Sequence, residues 1–155
     1  MLQPGGEGVM STIRLEQITG SDADLKAALT DARLPTDDIE DDGRTFFKAL
    51  SSDGRVLGFS GVERCDGDYL LRSVVVHPDR RGTGLGKAVV EVTVASLDPG
   101  GGVFLATTSA ASFFASIGFS EVQRDSVPAA VLATRQLSSI CPSSATIMRL
   151  TRPPT

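Results

Sequence analysis

Val74-Val75-Val76-His77-Pro78-Asp79-Arg80-Arg81-Gly82-Thr83-Gly84-Leu85-Gly86-Lys87 is the stretch on which the reading of this chain turns. An apolar run enters it, as a buried strand would. Beyond it Leu85, Ala88, Val89, Val92 and Ala95 recur on one face of an amphipathic helix. Three glycines at alternate positions allow the backbone to come close to a ligand. The N–H groups at the start of the helix, helped by its dipole, then form a site for a diphosphate. Arg80, Arg81 and Lys87 add positive charge. Glycines before a helix also fit a nucleotide loop or plain close packing, so the flanks must discriminate. A P-loop ends in Gly-Lys-Ser/Thr, whereas Gly86-Lys87 is followed by Ala88 and the first glycine of that spacing is absent. A dinucleotide fold would place the loop near the start of alternating βαβ units.

Upstream of the loop the pattern is antiparallel instead. Residues 45–50 and 56–63 read as strands joined by Ser52-Asp53-Gly54, and 69–76 follows Cys65-Asp66-Gly67-Asp68. Asp-Gly supplies the positive φ that tight hairpins need, so 69–76 completes an antiparallel meander of three strands, and its Val74-Val75-Val76 run, suited to burial on both faces, makes it the central strand of the sheet. Earlier still, Ile13 and Leu15 alternate with polar residues as a first strand. Ser21 then caps a helix over 22–32 that buries Leu25, Ala28, Leu29 and Ala32 and ends before Pro35. The acidic residues 37–42 read as a solvated face, with the border of a substrate entrance as the alternative.

Downstream, residues 98–102 stop the helix and 103–106 form a buried strand. Strand, helix and strand in succession make a right-handed crossover, which sets 103–106 parallel to 69–76. A helix over 110–117 ends at Gly118, and 119–123 and 145–150 close the sheet. A short helix after Pro128 falls within 127–137, and 140–144 is loop. The fold class is α/β, a mixed sheet of about six or seven strands with helices on both faces.

The chain has 155 residues, of which 41% are apolar and 22% charged, the mixture of one ordinary globular domain. Residues 12–151 are assigned to that domain, 1–11 to a flexible leader and 152–155 to a tail. A net charge of −4 without a basic run longer than two residues argues against nucleic acid as a partner. Cys65 and Cys141 stand far apart without His or Cys at ligand spacing, so neither a metal site nor a disulfide framework is expected. No apolar run is long enough to span a bilayer, which leaves the cytoplasm as the expected compartment.

The loop resembles the cofactor motif of the GNAT superfamily of N-acetyltransferases, Arg/Gln-x-x-Gly-x-Gly/Ala after a buried strand, matched by Arg81, Gly84 and Gly86. Ala110-Ala111-Ser112-Phe113-Phe114-Ala115-Ser116-Ile117-Gly118-Phe119 is similar to the family's Ala-x-x-Phe-Tyr-x-x-x-Gly-Phe helix, in order and at the right distance. Together they cover about residues 12–123 as the superfamily core. Thr107-Thr108-Ser109-Ala110, Arg124, Val127-Pro128, Thr134 and Cys141-Pro142-Ser143-Ser144-Ala145 are similar to the subgroup labelled arsenic-resistance N-acetyltransferases.

The resemblance implies direct acetyl transfer from acetyl-CoA to an amine, with the cofactor where strands 69–76 and 103–106 splay apart. It assigns to acetyl-CoA the residues Val74, Val75, Val76, Arg80, Arg81, Gly82, Thr83, Gly84, Leu85, Gly86, Lys87, Phe113 and Phe114. Backbone groups of Val74 and Val76 would pair with the pantetheine arm, and an N–H near Val74 or Val75 would polarise the acetyl carbonyl. Phe114 stands where many relatives carry a tyrosine that protonates the leaving thiolate, and it has no proton to give. Glu63 and Ser73 are the candidate catalytic groups, as base or water-positioning residues, with simple solvation as the alternative. His77, the sole histidine, introduces the turn before the loop. Arg124, Thr134, Arg135 and Cys141 fall in the region expected to bind the acceptor, where an arginine could grip a carboxylate by paired hydrogen bonds. The partner is a small-molecule amine, amino-acid-like or an arsenical, and a homodimer stays open as the assembly. Two other readings are an acyl-CoA-binding module without turnover and an acetyltransferase for protein N-termini or lysines.

Overall fold

A computed structural model describes residues 13–34, 36, 39–40, 43–76, 84–97, 100–134, 137 and 145–151. Among the described residues seven strands form one mixed sheet: β1 (Arg14–Ile18), β2 (Arg44–Leu50), β3 (Val56–Cys65), β4 (Asp68–Val76), β5 (Val103–Thr107), β6 (Phe119–Glu121) and β7 (Thr146–Leu150). Their order is β1-β2-β3-β4-β5-β7-β6, so β4 is central, as its apolar run requires. The described residues also form four α-helices, α1 (Ala23–Asp31), α2 (Leu85–Ala95), α3 (Ala111–Ile117) and α4 (Ala129–Leu132), with a 3-10 turn at Arg124–Ser126. The chain divides into two compact units, residues 1–61 with 73–97 and residues 62–72 with 98–155.

In the first unit β1 and β2 pair antiparallel from Arg14↔Leu50 to Ile18↔Phe46. The turn from β2 to β3 is tied by Gly54 N–H to the Ser51 carbonyl, 3.0 Å, with Gly54 at φ +86°. Helix α1 is capped by Asp22, whose carboxylate accepts the Leu25 N–H at 3.0 Å. The expected cap, Ser21, instead places its hydroxyl 2.8 Å from that of Thr19. A side chain caps only when it can reach the N–H two or three residues on, and Asp22 is the residue at that distance. One core cluster gathers Leu25, Leu29, Ile39, Phe46, Phe59 and Val75 around α1. Another gathers Ile13, Ala49, Leu57, Leu85, Ala88 and Val89 around α2. Burying a side chain of Leu size is worth about 2 kcal/mol, so these two groups dominate the unit's stability.

The buried stripe of α2 differs from the expected one. Leu85, Ala88, Val89, Val90 and Thr93 are buried, whereas Ala95 is exposed and Val92 half-buried. Thr93 tolerates the interior because its hydroxyl is satisfied twice over. It donates to the Val89 carbonyl at 2.8 Å and lies 2.7 Å from the Ser60 hydroxyl of β3. Thr93 has a single proton, already given to Val89, so Ser60 is the donor to Thr93.

In the second unit β4 and β5 pair parallel at Tyr69↔Val103 and Leu70↔Phe104, as the crossover demands. β7 lies antiparallel between β5 and β6. The start of β5 is drawn onto β4 by two bonds, Tyr69 N–H to the Gly102 carbonyl and Gly102 N–H to the Asp68 carboxylate, each 2.8 Å. The Asp66-Gly67 turn has both residues at positive φ, +54° and +94°, as a two-residue hairpin requires. Cys65, Leu70, Phe104, Val127, Val131, Leu137 and Ile147 form the unit's core, so the short helix after Pro128 supplies apolar packing.

Candidate active site

Two features of the first unit, one on β4 and one on α2, define the candidate site. β4 is not a regular strand, because Ser73 adopts φ +58°, a left-handed conformation that a serine in mid-strand avoids. A left-handed residue in mid-strand is an irregularity of the kind found in β-bulges, and it redirects the groups beyond it. Those groups are Val74 and Val76, half-buried, and Val75, buried. The expectation that all three are buried on both faces therefore holds for Val75 alone, while Leu70 and Leu71 before the bulge are both buried.

Helix α2 opens at Gly84, exposed and at φ +80°. A residue there needs the glycine backbone, and glycine brings no side chain over the helix start. The first N–H groups of an 11-residue helix thus meet whatever lies before them directly. Lys87 is exposed one turn on and Leu85 is anchored in the α2 core cluster. This is a fit for a diphosphate, since partial positive charge and N–H donors with no side-chain cap coincide. His77, Arg80, Arg81, Gly82 and Thr83 lie outside the described residues.

In the second unit, Thr107 ties the entry to α3, its hydroxyl accepting the Ala110 N–H at 2.9 Å. Phe114 is buried, its ring edge-on to Phe113 at 5.0 Å and to Phe119 at 5.7 Å between centroids. Phe113 is the one large hydrophobic exposed among the described residues, at 38%. Phe114 thus does core packing where a tyrosine would bring a hydroxyl.

Glu63 is not a solvated strand glutamate. It is 6% exposed, and its carboxylate lies 3.7 Å from the guanidinium of Arg72, itself 5% exposed. The hairpin therefore sets a carboxylate against a guanidinium with both side chains out of solvent. Arg72 was invisible as a candidate in the sequence, where one charge on an apolar strand carries no partner with it. Arg124 is exposed on the 3-10 turn. Thr134 is buried with its hydroxyl donating to the Val131 carbonyl at 2.8 Å and accepting the Leu137 N–H at 3.4 Å, which makes it the terminator of α4. Arg135 and Cys141 lie outside the described residues. No group of His, Cys, Asp and Glu among the described residues could hold a metal ion, and no helix there is long and apolar enough to cross a membrane.

The profile of the acetyltransferase (GNAT) domain family matches residues 42–121, slightly more than half the chain, and the chain belongs to that family. Its fold is shared with N-acetylglutamate synthase from Neisseria gonorrhoeae, solved with coenzyme A and L-arginine, at a TM-score of 0.67 and 16% identity over 91% of this chain and 34% of that one. An acyl-CoA N-acyltransferase from Pseudomonas aeruginosa matches at a TM-score of 0.59 and 17% identity, covering 90% of this chain and 99% of the other. In sequence, 59 residues are 41% identical to a mycothiol acetyltransferase of Nocardiopsis dassonvillei; they are 38% of this chain and 18% of that protein's length.

Proposed function

We propose that the chain transfers the acetyl group of acetyl-CoA directly to the amine of a small, amino-acid-like molecule in the cytoplasm. The observation that carries this is the pairing, within one unit, of a bulged strand end at Val74–Val76 with a glycine-opened helix start at Gly84. The first offers backbone groups to a pantetheine arm and the second offers N–H donors to a diphosphate. The residues fit coenzyme A, and family membership supports the same ligand.

Bound acetyl-CoA supplies an acetyl group activated as a thioester. A β4 N–H near Val74 or Val75 stabilises charge growing on the carbonyl oxygen as the amine attacks, a contribution of several kcal/mol for a preorganised donor. The new bond joins the amine nitrogen to the acetyl carbon, the carbon–sulfur bond breaks, and the amine proton leaves to water or to a base. Glu63 and Ser73 are the proposed candidates for handling that proton, as base or water-positioning groups. Phe114 cannot protonate the thiolate. A thiol titrates not far above neutrality, so its anion departs without obligatory acid help. Arg124, Arg135, Thr134 and Cys141 remain the proposed acceptor contacts, and an amino-arsenical stays among the acceptors on the strength of the motif resemblance in 107–145.

The experiment is thiol release from acetyl-CoA with amino acids, polyamines, aminoglycosides and amino-arsenicals as acceptors. Turnover with one class is expected. Stabilisation by CoA without turnover by any amine would favour the second reading, a binding module, which the buried, hydroxyl-free Phe114 motivates.

A further inference from the structure

We infer that Gly58 of β3 is a positioning residue for the thioester end of the cofactor: by having no side chain, it leaves room for the β4 backbone that the bulge at Ser73 pushes toward it. A Cβ on Gly58 would stand 2.3 Å from the Val75 carbonyl oxygen and 3.2 Å from the Val76 Cα. Both obstacles are backbone, so neither can rotate aside. Gly54 and Gly67 make the opposite case: each has positive φ and nothing within 4 Å of a built Cβ, so they are glycines for conformation. Gly58 has no such φ and is glycine for space.

The obstacle coincides with an irregular strand. Ser73 at φ +58° shifts the path of β4, and two residues later the Val75 carbonyl occupies the space a β3 side chain would fill. Restoring an ordinary contact of 3.4 Å from 2.3 Å moves that carbonyl by about 1 Å. The move must be absorbed in Val74–Val76, the peptide groups that the proposed function assigns to the pantetheine arm and the acetyl carbonyl. This inference rests on that reading. A misplacement of about 1 Å in a preorganised site costs roughly a hundredfold in rate.

The test compares two ligands by calorimetry: CoA, and adenosine 3′-phosphate 5′-diphosphate, which keeps the diphosphate and lacks the pantetheine arm. Wild-type protein is expected to bind CoA roughly tenfold more tightly than the fragment, the worth of one or two backbone hydrogen bonds. Gly58→Ala should hold the fragment within about twofold of wild type and lose the preference for CoA, because the helix start is untouched and the strand is not. Ser73→Val, which disfavours positive φ and straightens β4 without touching Gly58, should lose the same preference and guards against a Gly58 variant that does not fold. A preference for CoA that survives in both variants overturns the role of Gly58 while leaving the proposed function intact. Wild-type protein that binds neither ligand overturns the proposed function itself, and this inference with it.

Discussion

Strands β3 and β4 divide into two stretches that handle the same problem differently. Residues 62–65 and 68–72 are joined by a tight turn at Asp66-Gly67 and bury an ion pair, Glu63 with Arg72. Residues 56–61 and 73–76 contain two strand glycines, a left-handed serine and a buried neutral contact, Ser60 with Thr93. The first stretch is regular in backbone and extreme in charge; the second is neutral in its core and irregular in backbone. Charge can be buried where geometry holds its partner fixed, whereas backbone strain is kept where a ligand needs main-chain groups turned toward it.

The sharpest way to break the contrast is Arg72→Ala. It leaves the Glu63 carboxylate buried without that cation and should cost about 3 kcal/mol in urea unfolding, while Arg72→Met with Glu63→Leu should recover most of the loss. A loss below about 0.5 kcal/mol would mean that water reaches the pair and that the charged stretch is ordinary surface. A smaller effect is expected from Thr93→Val, which strands the Ser60 donor and should cost about 1.5 kcal/mol, with Ser60→Ala in the same chain returning the protein to near wild-type stability. Additive losses would show that the two hydroxyls do not act as a pair.

The smallest effect separates the two turns. Hydrogen bonds from the Ser51 hydroxyl and the Arg55 N–H hold the Asp53 carboxyl below its usual range, at the entry to β3. A depressed acid stabilises the fold above its unfolded pKa and loses that contribution as pH falls through its folded value. The Ser51–Arg55 turn should therefore loosen on acidification below the usual carboxylate range, and by more than the Asp66-Gly67 turn, whose conformation rests on the positive φ of its two residues. Amide exchange in the two turns read against pH checks this, and equal responses would erase the distinction.

The same contrast explains what could be read in the sequence. Asp53-Gly54 and Asp66-Gly67 announced their turns because the residue type is the cause of the conformation. Gly84 announced the helix start for the same reason. The bulge was silent, since Ser73 reads as an ordinary strand residue although its backbone is left-handed; the trace it left was Gly58, one of two glycines, with Gly61, in an apolar strand. The Glu63–Arg72 pair was equally silent, because nine residues and a turn separate charges that the hairpin brings to 3.7 Å. Thr93 was missed on α2 because a β-branched hydroxyl residue reads as surface until Ser60 and the Val89 carbonyl are found against it.

The central claim is that Gly84 opens the α2 start to coenzyme A. Calorimetric titration of CoA into wild-type protein and into Gly84→Glu tests it, with circular dichroism confirming that the helix persists. The substitution fills the approach to the N–H groups, adds a negative charge against a diphosphate, and forces a side chain onto φ +80°. Binding by wild type and none by Gly84→Glu is the result predicted; equal affinity in the two proteins would contradict the assignment of the helix start and the function built on it.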